Sequence, residues 1–299
     1  LPEAVRAFDP QQRYFHPSSP SGGPYPRSDF GGDKRNWGPW FPHGNYHHIR
    51  QEAAQFISEC GSKALPSLAA IQRSIPEQRR WPIDNRTWYL HAGDLDNHIR
   101  ADYRLDAQCW KFFATPKSLE EAVTLSQFAQ AWGTRLLVEH SRRRMKACGG
   151  ILIWKTSDQW PSSDCGLFDY DGRMRSLGPW LRDAFRPIAA SIAQPINESG
   201  QIETWISSDL PFSTAGDLRL FRLTRQKSGQ WEESEVFRTR LEIESNHSQR
   251  IRACEVRDLD ASAVVFRIEL STPTQAQQHA WFSLNPATAW EYFCNRKSF

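Results

Sequence analysis

Three kinds of hydrophobic patterning follow one another along the chain. Between residues 118 and 147, Ala122, Leu125, Ala129, Trp132 and Leu136 recur at spacings of three and four, which gathers them on one face and predicts the longest helix. Ser118 stands at its start with Glu121 three residues later, the pattern of a capping box. Arg142, Arg143, Arg144 and Lys146 close it, where cations complement the negative end of a helix dipole. Two apolar runs flank this helix. Gln55-Phe56-Ile57-Ser58-Glu59-Cys60-Gly61 reads as a short buried strand ending at a carboxylate and a glycine. Ile151-Leu152-Ile153-Trp154, after the helix-ending Cys148-Gly149-Gly150, suits a parallel strand buried on both faces. Strand, long helix, strand is an α/β order. Near Pro187 the period changes to two. Phe266, Ile268 and Leu270 alternate with Arg267 and Glu269, whose charges are expected on the outward face, and residues 200–206 and 236–243 behave alike. About seven such segments, bounded by Gly, Pro, Asn or Ser, predict an antiparallel, immunoglobulin-like β-sandwich. The chain thus reads as an α/β part over 1–187 followed by an all-β part over 188–299.

Ahead of these elements, residues 8–48 are rich in Gly, Pro, Ser, His and Trp. Phe8-Asp9-Pro10 and Pro17-Ser18-Ser19-Pro20 are turn chemistry, with brief strands predicted at 13–15 and 36–40. Long irregular loops of this kind are more often functional than ornamental. Composition then narrows the class. A length of 299 residues suits about two domains, and 39% hydrophobic with 24% charged residues supports a buried core. The net charge of +3, from 37 basic against 34 acidic residues, is too balanced for a protein whose task is neutralising phosphates, so no nucleic-acid partner is expected despite the Arg-rich helix end. No apolar run approaches the roughly 20 residues of a membrane helix, and no membrane partner is expected. Six cysteines without C-x-x-C spacing argue against a structural zinc site, and their number is ordinary usage rather than a disulfide framework. No G-x-G-x-x-G, G-x-x-x-x-G-K or G-x-S-x-G occurs in a strand–turn–helix context, which removes the usual anchors of nucleotide binding and serine-hydrolase chemistry. Sequons at Asn85, Asn197 and Asn246 arise by chance in a chain of this length and do not fix a compartment.

The 13 Trp residues are the unusual number. Most Trp rings fill cores, but an exposed indole face stacks on flat apolar partners, sugar rings included. Trp154, at the end of the second apolar run, is placed to floor a sugar site, and Trp37 and Trp40 lie in the Gly/Pro-rich loop beside Asp33, Lys34 and Arg35. Glu59 is the candidate carboxylate, because a Glu at the C-terminal tip of a barrel strand points into the mouth where chemistry happens. His43 and His47 have i, i+4 spacing, but Pro42, Gly44 and Asn45 argue against the helix that would aim both at a metal, so none is expected.

Taken together, several segments resemble glycoside hydrolase family 2, and within it the β-mannosidases. Phe56-Ile57-Ser58-Glu59-Cys60-Gly61 with Leu65-Pro66-Ser67 resembles the family's nucleophile segment. Gly149-Gly150-Ile151-Leu152-Ile153-Trp154, Asp158-Gln159-Trp160-Pro161 and Phe168-Asp169-Tyr170-Asp171-Gly172-Arg173 are similar to its last barrel strand and the loop after it. Pro17-Ser18-Ser19-Pro20 and the stretch from Gly32-Asp33 through Trp37 and Trp40 look like the loops before the nucleophile. The resemblance covers most of residues 8–187. It implies the C-terminal half of a (β/α)8 barrel over 1–187, with a β-sandwich following over 188–299. It implies a retaining exo-β-glycosidase acting on terminal β-linked sugars, with Glu59 as nucleophile, Trp154 under the sugar, Trp37 and Trp40 on the pocket wall, and Asp33 and Asp158 near the pocket. No cofactor is implied, and the partner is a carbohydrate substrate. The family's acid/base Glu would lie upstream of Leu1, so an N-terminal remainder of the same enzyme is expected and the isolated chain is expected to be inactive. An exo-β-glucosaminidase of the same family, or a non-catalytic carbohydrate-binding or scaffold fragment, are the alternatives. The compartment stays open among secreted, periplasmic and lysosomal, according to a leader upstream. Cys60 stands where an aromatic or aliphatic residue is commoner, and Lys155, Thr156 and Ser157 replace the family's usual residues after Trp154. These positions border the sugar-binding face and bear on which sugar is taken.

Overall fold

A computed structural model describes residues 1–23, 25, 31–40, 45–92, 105, 109–195 and 200–296, with the backbone alone for His47. His43, Asn197 and the side chain of His47 lie outside the described residues. Six α-helices are described: α1 (Pro2–Phe8), α2 (Leu68–Ser74), α3 (Arg86–Leu90), α4 (Leu119–Arg143), α5 (Leu177–Ala184) and α6 (Pro286–Arg296). The first sheet is small and parallel, in the order β1 (Lys34–Arg35), β2 (Ile57–Cys60), β3 (Ile151–Ile153). Three parallel strands do not close on themselves, so the sheet is open, and of the half-barrel expected from the resemblance the described residues show these three strands alone. Leu152 is 54% exposed, which corrects the expectation of a strand buried on both faces. Among the described residues β3 is an edge strand that pairs with β2 alone, with Ile151 and Ile153 turned to the core and Leu152 to solvent.

The long helix forms where the sequence places it. Ser118 Oγ accepts the Glu121 N–H at 3.2 Å, and Glu121 Oε2 accepts the Lys117 N–H at 2.8 Å, one residue earlier than a regular capping box would. The helix is not one-faced, however. Seventeen of its 25 residues are buried, Gln130, Thr134, Arg135 and Glu139 among them. A helix buried all round needs cover on every side, and α4 has it. Trp132 and Phe128 share one core with Ile57, Cys60 and Ile71, with Phe221, Leu223 and Val265 of the sandwich, and with Trp290, Tyr292 and Phe293 of α6. The cationic end is tied down as well. Arg142 donates to the carbonyls of Ala184 (2.6 Å) and Arg186 (2.7 Å), Arg143 to Ser191 Oγ (3.0 Å) and Arg144 to the Ala53 carbonyl (2.8 Å).

Seven antiparallel strands make the sandwich: β4 (Ile188–Ala193), β5 (Gln201–Ser208), β6 (Thr214–Arg225), β7 (Trp231–Ile243), β8 (His247–Glu255), β9 (Val264–Thr272) and β10 (Gln275–Phe282). They form two sheets, ordered β4-β5-β8 and β10-β9-β6-β7. Ile202 and Ile206 from one sheet meet Leu218, Leu220, Ile268 and Leu270 from the other, the inward set that the period of two marks. Two details differ from expectation. The β-pattern stops at Phe282, and α6 folds back into the core around α4. Glu269 points away from the sandwich core but is only 7% exposed, because α6 packs near β9 and Arg267 and Arg219 pair with its carboxylate.

Candidate functional site

Parallel pairing puts the C-terminal ends of β2 and β3 at one rim. Cys60 lies opposite Ile153, and the Trp154 N–H donates to the Cys60 carbonyl at 2.7 Å. A Cβ on Gly61 would collide with the Trp154 carbonyl oxygen, so the glycine after Glu59-Cys60 lets the two strand tips close together. β1 lies along the other side of β2, with the Asn36 N–H donating to the Glu59 carbonyl at 2.7 Å. That register brings Trp37 to the acid, and its indole Nε1 donates to Glu59 Oε1 at 2.8 Å. Arg35 Nε stands 3.7 Å from Glu59 Oε2 and is anchored by its own Nη2 donating to the Ser19 carbonyl at 2.9 Å. The carboxylate therefore has one oxygen held by a neutral donor and the other facing a cation, with 18% of its side chain open to solvent. Trp154, the first residue past β3 at the same rim, is 46% exposed.

The other residues expected at the site are placed differently. Trp40 is 0% exposed, packed with Tyr46 against α4 at Gly133, where a Cβ would strike both rings. A ring with no exposed face cannot line a pocket wall. Trp37 is a hydrogen-bond donor to Glu59 before it is a wall. Asp33 is 8% exposed and accepts from Ser19 Oγ (2.5 Å), Ser21 Oγ (2.7 Å) and the Ser21 N–H (2.8 Å), with His16 Nε2 at 3.1 Å. Burial pushes this carboxyl up, but the hydroxyls of Ser19, Ser58 and Ser21 and the His16 ring together hold it below the usual carboxylate range. It fastens the 16–21 loop, whose Ser19 carbonyl in turn holds Arg35. Asp158 is 5% exposed. It accepts from Arg175 Nη2 at 2.7 Å and from the Gly166 N–H at 3.0 Å, and burial pushes its carboxyl up against the pull of Arg175. It braces the 158–175 loop from inside rather than facing a substrate.

Arg35 is the neighbour the sequence did not single out for a role, although it stands two residues from Trp37 in the same charged loop. Three further buried acids among the described residues are engaged. Glu52, 5% exposed, accepts from Lys34 Nζ (3.2 Å), Asn36 Nδ2 (2.5 Å) and the Ala54 N–H (2.7 Å), as Asp33 and Asp158 do from their own partners. Among the described residues no group of three or more His, Cys, Asp or Glu is placed to hold a metal, and no helix is long and apolar enough to cross a membrane. A cleft of about 270 Å³ opens elsewhere, between α4 and the sandwich, lined by Tyr46, Trp132, His140, Arg143 and Trp205. Among its described lining residues the one carboxylate, Glu203, is held by Trp205 Nε1 at 2.9 Å and closed off by Arg250 Nη1 at 2.7 Å, whereas Arg35 stands back from Glu59 at 3.7 Å.

No family model matches the chain. Over 241 residues it is 28% identical to the Beta-mannosidase B of Aspergillus terreus, covering 74% of this chain and 27% of that protein. Over 272 residues it is 28% identical to the Beta-mannosidase B of Aspergillus flavus, covering 84% and 31%. The chain thus spans only about 27% to 31% of the length of these curated relatives. Among solved structures, the β-D-mannosidase from Dictyoglomus thermophilum superposes with a TM-score of 0.81 at 24% identity, over 96% of this chain and 34% of that one. The exo-chitosanase CsxA of Amycolatopsis orientalis, solved with PNP-β-D-glucosamine, gives a TM-score of 0.63 at 13% identity, over 80% and 29%. The chain is β-mannosidase-like in sequence and in fold, as its motifs imply.

Proposed function

We propose that this chain carries the nucleophile-bearing part of a retaining exo-β-glycosidase, β-mannosidase-like, that acts on terminal β-linked sugars. One observation carries the reading: a partly open Glu59 carboxylate at a strand tip, bonded by the Trp37 indole, with the exposed Trp154 at the tip of the neighbouring strand. Glu59 attacks the anomeric carbon and the glycosidic C–O bond breaks, leaving a glycosyl ester on Glu59. Water then cleaves that ester. Trp37 holds one carboxylate oxygen while the other reacts, so the nucleophile enters already aimed. Trp154 supports the sugar ring. The leaving oxygen needs a proton from a second carboxyl group about 5–5.5 Å from the first. Among the described residues Asp33, Glu52 and Asp158 are committed to their own partners, and we assign that acid to the N-terminal remainder that the family resemblance implies, on strands that complete a (β/α)8 barrel with β1–β3. The likeness to much longer β-mannosidases supports this assignment.

An exo-β-glucosaminidase is the second reading, favoured by the fold shared with the Amycolatopsis orientalis enzyme. Relative rates on aryl β-mannoside and aryl β-glucosaminide decide between them. An activated aryl leaving group needs little protonation, so the chain alone should release it slowly, and Glu59→Gln should abolish the release. An unactivated disaccharide should survive. Its hydrolysis by the chain at an ordinary enzyme rate, lost in Glu59→Gln, would mean that the acid lies within the chain.

A further inference from the structure

We infer that Trp160, held in a stack with His91, is a second sugar platform that receives the ring next to the terminal sugar, which makes an oligosaccharide rather than a small glycoside the preferred ligand; this rests on the glycosidase reading of Glu59. The loop that carries Trp160 leaves β3 at the rim where Glu59 and Trp154 stand. It is six residues from Trp154, at most about 20 Å of extended chain, and Lys155 Nζ shortens that reach by donating to Gln159 Oε1 at 2.9 Å. Asp158, buried on Arg175, fixes the loop from beneath. The His91 ring lies on the Trp160 ring with centroids 4.9 Å apart and planes within 7°. His91 is itself fixed by its Nδ1, 2.5 Å from the Pro161 carbonyl. Trp160 nevertheless keeps 45% of its surface exposed. A ring stacked on one side and still this exposed presents its other face to solvent in a set orientation. Such a face suits the C–H side of a pyranose.

Binding to the Glu59→Gln protein tests this without turnover. The probes are β-1,4-linked mannotriose and mannose, titrated calorimetrically into the Glu59→Gln parent and into the same protein carrying Trp160→Ala or Trp160→Phe, each first checked for an unchanged thermal midpoint. Loss of one stacking face should weaken mannotriose about tenfold in Trp160→Ala, and Trp160→Phe, which keeps an aromatic face, should recover most of it. Mannose, which has no second ring, should bind parent and variants alike. Mannotriose affinity unchanged in Trp160→Ala, an equal loss for mannose, or no mannotriose binding by the parent would each overturn the proposal. Failure of the glycosidase reading shows separately, as absence of Glu59-dependent aryl mannoside release by the wild-type protein. Trp160-dependent binding without that release would leave a sugar platform standing and remove the catalytic role.

Discussion

Glu59 is held by one hydrogen bond of known geometry, and that bond can be removed without removing the ring that supplies it. Trp37→Phe deletes the indole N–H that reaches Glu59 Oε1 at 2.8 Å. A hydrogen bond to a charged group contributes about 1.5–3 kcal/mol, so Glu59-dependent release from an aryl β-mannoside should fall about ten- to a hundredfold, while the thermal midpoint stays within a few degrees. An unchanged rate would mean that Trp37 does not aim the carboxylate. Asp158 should behave in the opposite way. Asp158→Ala strands the Arg175 guanidinium, 2% exposed, and breaking one side of a buried ion pair costs about 3–5 kcal/mol. Urea unfolding should show that loss; unchanged stability would contradict the bracing role. Glu59 and Trp154 were legible in the sequence because each ends an apolar run, and a residue that ends a strand stands at a rim. Trp40, Asp33 and Asp158 were not, because a Gly/Pro-rich loop shows no periodicity that separates a ring facing solvent from one facing the core. Their partners, Ser19, Ser21, Gly133 and Arg175, come from other parts of the chain.

Helix α4 links both halves of the molecule, and one of its histidines makes that link sensitive to acid. Burial, with Arg143 and Arg144 close by, pushes His140 down to about 4, while its Nε2 donates to the Glu52 carbonyl at 2.9 Å. In the unfolded chain the ring titrates near its ordinary value of about 6.5. Between these values the unfolded state binds a proton that the folded state does not, so this contribution is fully present above about pH 6.5 and is lost as the pH falls toward 4. By pH 5 the loss reaches about 2 kcal/mol. His140→Gln, which keeps a donor for Glu52, should remove most of that difference between unfolding free energies at pH 7.5 and pH 5. An equal fall in both proteins would assign the acid sensitivity to other groups. The helix itself was legible down to its Ser118 cap, because capping is local chemistry. Its burial on every side was not, since α6 and Phe221, Leu223 and Val265 of the sandwich reach it from more than 75 residues along the chain. The exposure of Leu152 was missed for the converse reason. An apolar run reports what a strand can be buried against, not whether a neighbour is there.

Among the described residues three apolar clusters meet at helix α4: the large one around Trp132, the sandwich core, and a small one in which Ala131 and Val138 pack with Leu177, Leu181 and Ala184 of α5. Leu136 packs against the first two, and Phe221, Leu223 and Val265 reach from the sandwich into the core around Trp132. The change of pattern at Pro187 therefore marks where strands begin, not where cooperativity ends. Residues 1–187 expressed alone would expose the face of α4 that these side chains and α6 cover. That piece should show no cooperative thermal transition, whereas the full chain unfolds in one. A sharp transition in the shorter piece would establish two independent units. The central claim, that Glu59 is the nucleophile of a retaining glycosidase, is tested most directly by trapping. A 2-deoxy-2-fluoro β-mannoside with an activated leaving group forms the glycosyl ester and slows its hydrolysis, so the protein can be digested and the labelled peptide sequenced by mass spectrometry. The sugar is expected on the peptide that contains Glu59, at that residue, and absent from Glu59→Gln. A label on another carboxylate, or none on a folded wild-type protein that still releases the aryl group from an ordinary aryl β-mannoside, would contradict the account.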